Sequence, residues 1–139
     1  MAMNAEAAAI EQDLPPIVVA EEQFDELSSV AERLVDAIPE VGLFLERELD
    51  RAKLMPFARM PHDVVTIGST VSFIFGMTGR AERLKLVWPE GNIADHGLVS
   101  LASPVGVALL GMKAGETISW STRYGDIRSL KVLGVERER

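Results

Sequence analysis

The sequence predicts an α+β protein: a short N-terminal antiparallel helical hairpin, then an antiparallel sheet carrying one short helix. Three observations lead there. Between residues 21 and 54 the apolar residues recur at threes and fours, whereas beyond residue 63 they alternate. The charge shifts near the same point. Residues 1–60 hold thirteen acidic and five basic side chains, net −8, and residues 61–139 hold eight and nine, net +1. Finally, Ser103-Pro104-Val105-Gly106-Val107-Ala108-Leu109-Leu110-Gly111 reads as one isolated helix of about two turns, with a serine cap, proline at the first position and a glycine stop.

Taken in order, residues 1–16 are rich in Ala and Glu and end in Pro15-Pro16. They carry few large apolar groups, so a mobile tail is expected. Ile17-Val18-Val19 reads as a brief extended segment. Residues 17–55 form the hairpin unit. Its first helix is expected over 21–38, with Phe24, Leu27, Ala31, Leu34 and Ile38 as the apolar seam. Pro39 breaks it, and Glu40-Val41-Gly42 make a tight connection. The second helix is expected from about Leu43 to Leu54, with Leu45, Leu49 and Ala52 as the matching stripe and Glu46, Arg47, Glu48, Asp50 and Arg51 in water. Such a pair is either a probe that reaches into a partner or a small unit closing its own core.

Residues 56–139 form the second unit. Met55 to Asp63, with Pro56 and Pro61, reads as a linker. Val64 to Ile67 is expected as a short strand. Val71, Phe73 and Phe75, then Leu84, Leu86 and Trp88, mark two longer ones. Residues 89–97 are a loop and Leu98 to Leu101 a brief strand. In the Ser-Pro helix, Val105, Ala108 and Leu109 share a face. Ile118, Trp120 and Thr122 face one way on the next strand. Leu130, Val132 and Gly134 then run back, opposed by Lys131, Leu133 and Val135.

Composition excludes several functions. There is no cysteine, so no disulfide, thiol nucleophile or thiolate metal site. No run of eighteen apolar residues marks a membrane helix. Residues 1–12 carry Glu6 and Glu11 and no base, unlike a signal peptide, so the cytoplasm is expected. A net charge of −7 disfavours general binding to nucleic-acid backbones. His62 and His96 lie in predicted loops far apart and read as surface histidines. Gly106, Gly111 and Gly115 lack the Lys-Ser/Thr of a phosphate loop. Asp36 and Glu40 flank the hairpin tip. Two such carboxylates suit Mg²⁺ in principle, but the simpler reading is solvation. No catalytic residue, cofactor or metal is therefore expected. The oligomeric state stays open, a monomer being the simplest reading.

Three stretches carry a resemblance. Met60-Pro61-His62-Asp63-Val64-Val65-Thr66, Gly68-Ser69-Thr70-Val71 and the run from Ser103 to Gly115 resemble the GreA/GreB transcript-cleavage factors. Glu48-Leu49-Asp50-Arg51-Ala52, followed by Met60 to Val65, is more similar to the Rnk branch of that family. The likeness covers roughly residues 17–137. It implies a hairpin ahead of an FKBP-like domain, and RNA polymerase as the partner. It further implies docking on the β′ coiled coil at the rim of the secondary channel. The residues carried over are Ser103 and Pro104, with Ala102 just before them; some family members carry an acid at that place.

In Gre factors a long coiled coil delivers an acidic tip to the catalytic centre. Helices of the expected lengths span only about 27 and 18 Å. A tip made of Asp36, Pro39 and Glu40 would then stop short of the chemistry, and no transcript cleavage is expected. The branch name implies an effect on nucleoside diphosphate kinase, which would be indirect, through gene expression. The alternative is an FKBP-like peptidyl-prolyl isomerase or peptide-binding module, with Phe73, Phe75, Trp88, Trp120 and Tyr124 around an apolar pocket.

Overall fold

A computed structural model describes residues 14–89 and 97–137. Strand β1 (Val18–Ala20) leads through a single 3-10 turn at Glu21–Gln23 into helix α1 (Phe24–Ala37). One residue, Ile38, separates α1 from helix α2 (Pro39–Arg51). The hairpin is therefore tighter than the sequence suggests, and its second helix starts four residues earlier. Proline explains the difference. It pushes Ile38 out of the helical region, to φ −140° and ψ 79°, and so ends α1. It then opens α2 as that helix's first residue, where it forfeits no bond. Gly42, read as a turn residue, is helical. A Cβ there would lie 2.2 Å from the Val35 amide nitrogen, so its value is close approach of the two helices.

The helices pack antiparallel. Leu34 and Val35 lie against Gly42 beside the connection, and Ser28 and Glu32 share a shallow cavity with Glu46 and Asp50 further away. Of the expected seam, Leu27, Ala31, Leu34, Leu45 and Leu49 are buried, joined by Val30 and Val41, whereas Phe24 and Ala52 are half-buried and Ile38, at the connection, is exposed. Helix α2 stops at Arg51, three residues short of the expected Leu54. Strand β2 (Lys53–Met55) pairs in parallel with β1, Val19 opposite Leu54.

Glu48 departs most from expectation: it is 1% exposed. Arg51 holds it through two donors, Nε to Oε2 at 2.5 Å and Nη2 to Oε1 at 2.8 Å. The third arm of the same guanidinium donates to the Pro15 carbonyl. Residues 14–16, placed in the tail by sequence, are thus tied to α2, and Leu14 packs on the core. Residues 1–13 lie outside the described residues.

Five further strands form one sheet in the order β5-β4-β3-β7-β6. They are β3 (Thr70–Phe75), β4 (Ala81–Val87), β5 (Leu98–Ser100), β6 (Thr117–Ser121) and β7 (Ile127–Glu136). The sheet is mixed. It is not wholly antiparallel as the sequence suggests: β5 runs parallel to β4, with Leu86 opposite Val99. Val64 to Ile67 makes no strand of its own. Val64 bridges Lys113, and Val65 exchanges bonds with Met112 and Gly111.

In β7 the pairing with β3 slips between Phe73, opposite Val132, and Ser72, opposite Gly134. Leu133 is the extra residue of this bulge. The alternation reverses beyond it, so Val135 sits opposite Val71 and packs against the core rather than facing out with Lys131.

The short helix α3 (Pro104–Leu109) plugs the space between hairpin and sheet. Val107, Ala108 and Leu109 are fully buried, while Val105 is only half-buried. The helix ends where Leu110 turns to ψ 126°, and Gly111 follows at φ +79°, in the left-handed region, within the turn that the Met112 amide closes on the Leu109 carbonyl. Gly111 also passes close to the start of the hairpin: a Cβ would meet that of Ile17 at 2.8 Å, and its carbonyl accepts the Val18 amide. One continuous apolar core results. It contains Leu27 and Leu45 from the hairpin, Leu109 from α3, and Phe73, Ile118 and Leu130 from the sheet.

Candidate functional site: the Ser-Pro corner and its groove

The corner between β5 and α3 is built by serine chemistry. Ser103 is extended, with φ −131° and ψ 154°, and its hydroxyl accepts the Gly106 amide at 3.1 Å. The same hydroxyl donates to the Ser100 carbonyl at 2.7 Å. The Ser100 hydroxyl in turn accepts the Ala102 amide at 2.9 Å. Gly106 lets α3 close on β5, since a Cβ there would fall 1.9 Å from the Ser100 carbonyl oxygen. Ala102, Ser103, Pro104 and Val105 are all half-buried. The corner is therefore rigid and still reachable.

Ala102 and Pro104 look into different hollows. Ala102 borders a cavity of about 310 Å³ against α1, together with Val30, Trp88 and Pro89. Pro104 borders an open, largely apolar groove of about 510 Å³, whose floor is Phe75, Val105 and Trp120. Arg80 and Arg128 stand on its rim. Arg80 is held by Glu82 at 2.7 Å, and Arg128 lies 3.8 Å from Asp126.

Pro104, Trp120 and Thr122 also border a second cavity of about 390 Å³, whose opposite wall is the hairpin tip. The tip is anchored there. The Arg123 amide donates to Glu40 Oε1 at 3.0 Å, and Phe44 stacks on Trp120 with ring centroids 6.0 Å apart. Pro39 and Glu40 are thus brought beside the Ser-Pro corner. Asp36 is exposed on the last turn of α1 and borders neither cavity.

The aromatic residues disperse. Phe73 is in the core, Trp88 lies on the α1 side, and Tyr124 is 77% exposed on the β6–β7 turn. Phe75 and Trp120 alone of the five meet in the groove. His62 is exposed in a turn, and His96 lies outside the described residues. Among the described residues no three His, Asp or Glu side chains converge to hold a metal ion. None of the helices described is long and apolar enough to cross a membrane.

Sequence reasoning picked out the capped corner but not Phe44, Arg47, Arg80 and Arg128, which line the cavities beside it. A signal existed in α2. Glu40, Leu43, Phe44 and Arg47 form a second stripe at spacings of three and four, on a different face from Val41, Leu45 and Leu49.

A helical hairpin packed on a mixed sheet, with a Ser-Pro helix between them, defines the class. The chain belongs to the GreA/GreB family: the family model described as "Transcription elongation factor, GreA/GreB, C-term" matches residues 60–137. The particular likeness is to the "Regulator of nucleoside diphosphate kinase" of Escherichia coli strain K12, 33% identical over 122 residues, which are 88% of this chain and 90% of that protein. The "Transcription elongation factor GreA" of Syntrophomonas wolfei is 33% identical over 93 residues, 67% of this chain but only 58% of that protein. Among solved structures, a "Prokaryotic transcription elongation factor GreA/GreB from Nitrosomonas europaea" superposes with a TM-score of 0.67 at 30% identity. That match covers 88% of this chain and 99% of the other. The α+β expectation and the Gre/Rnk likeness therefore hold.

Proposed function

We propose that this chain is a transcription regulator that binds RNA polymerase. It docks on the β′ coiled coil at the rim of the secondary channel and does not stimulate transcript cleavage. The observation that carries the reading is the Ser-Pro corner, rigidly capped and half-buried at the edge of an apolar groove. Family membership supports the partner class. The corner offers apolar area with little entropy left to lose on binding.

Reach argues for the missing cleavage. Helices of 14 and 13 residues extend about 21 and 20 Å, shorter than the sequence suggested for the first. One of the two tip carboxylates, Glu40, is engaged by the Arg123 amide. In a backtracked elongation complex, added protein is expected to leave the rate of RNA release unchanged. Stimulated release that disappears in an Asp36→Ala, Glu40→Ala variant would refute this. Any effect on nucleoside diphosphate kinase is then indirect.

The groove beside Phe75 and Trp120 favours one alternative, a prolyl isomerase or peptide-binding module. Its floor is apolar, and the other three aromatic residues lie elsewhere. A proline-peptide isomerisation assay is expected to show the uncatalysed rate.

A further inference from the structure

We propose that the hairpin tip is itself half of the docking surface, and that the occupant is an acidic amphipathic segment of the partner. The inference rests on the polymerase-docking reading above and adds to it. The tip, instead of acting as a free probe, would grip the same segment as the Ser-Pro corner.

Four observations lead there. The two cavities share Pro104, Trp120 and Thr122, so they form one surface that continues past the corner onto α2. Ile38 and Leu43 border its second half and remain 44% and 56% exposed. A hairpin closing only its own core has no use for them there. Their backbone is nevertheless held, because Glu40 is bonded to the Arg123 amide and Phe44 is stacked on Trp120. The apolar tip is thus pre-positioned, which lowers the entropy lost on binding.

Charge identifies the occupant. Arg47 lies over the Phe44 ring at 5.5 Å and Arg123 over the Tyr124 ring at 4.9 Å. Among the described residues neither guanidinium is paired with a carboxylate. Both border the tip-side cavity of a chain whose net charge is −7. Arginines without a carboxylate partner, one of them also bonded to the Tyr124 hydroxyl at 2.8 Å, stand beside exposed Ile and Leu and suit a segment with an apolar ridge and carboxylates along its flank.

The test measures affinity of the full chain for RNA polymerase core enzyme across a salt series. The variants are Leu43→Ser, the pair Arg47→Glu with Arg123→Glu, and Pro104→Ala. Lys53→Glu with Lys131→Glu is the control: both lysines are exposed, and the net charge changes equally. Melting and circular dichroism establish that each variant folds. The expected result is a loss of about tenfold for Leu43→Ser and for the arginine pair, with a flatter salt dependence for the pair, and little change in the control. If Pro104→Ala weakens binding while Leu43→Ser and the arginine pair match the control, the tip is not part of the surface and docking at the corner stands. If Pro104→Ala and the other variants all bind like wild type, the docking reading fails and takes this inference with it.

Discussion

Ser103 does two jobs with one hydroxyl, capping α3 and fastening it to β5. Ser103→Ala should lower stability by about 1 kcal/mol, as cap removal does, measured by urea denaturation. Gly106→Ala should cost more, about 1–3 kcal/mol or beyond, because the new methyl meets backbone rather than a side chain that can swing away. If Gly106→Ala proved as stable as wild type, the close packing of α3 on β5 would be wrong. The cap was legible in sequence, since N-cap chemistry is local. The approach of Gly106 to Ser100 was not, because nothing within a turn of Gly106 announces which strand lies over it.

At the scale of elements, the hairpin shows what spacing can and cannot convey. Seam residues such as Leu27 and Leu49 follow directly from the 3.6-residue period. Pro39 has two opposite meanings, the end of one helix and the start of the next, and only the backbone shows that both apply. Glu48 looked like one more solvated acid beside Glu46. It is instead buried, and Arg51 joins it to Pro15. Arg51→Ala should therefore destabilise by about 3 kcal/mol by stranding a buried carboxylate. Replacing Glu48 and Arg51 together by Met should cost clearly less. Thermal melts of the single and double variants check this; equal losses would mean that the pair does not act as a unit. The bulge at Leu133 belongs to the same lesson, since one unpaired residue moves Val135 to the other face.

For the whole molecule, a single core joins hairpin, α3 and sheet. Far-ultraviolet dichroism, which reports mainly on the hairpin, and the fluorescence of Trp88 and Trp120 should lose signal at one common midpoint in urea. Two separated midpoints would show that hairpin and sheet fold independently. The family, the α+β class, the Ser-Pro corner and most of the buried seam were determined by the sequence alone. Each depends on residue type at short range: a cap, a period, a glycine stop. Where the hairpin rests was decided only by the tertiary structure. Glu40 reaches the Arg123 amide across 83 positions of chain, and Phe44 finds Trp120 at a similar distance in sequence. Contacts so remote leave no periodic trace. They exist because α3 and Gly111 hold the two halves against each other, and the second cavity beside Pro104 gains its opposite wall from that closure.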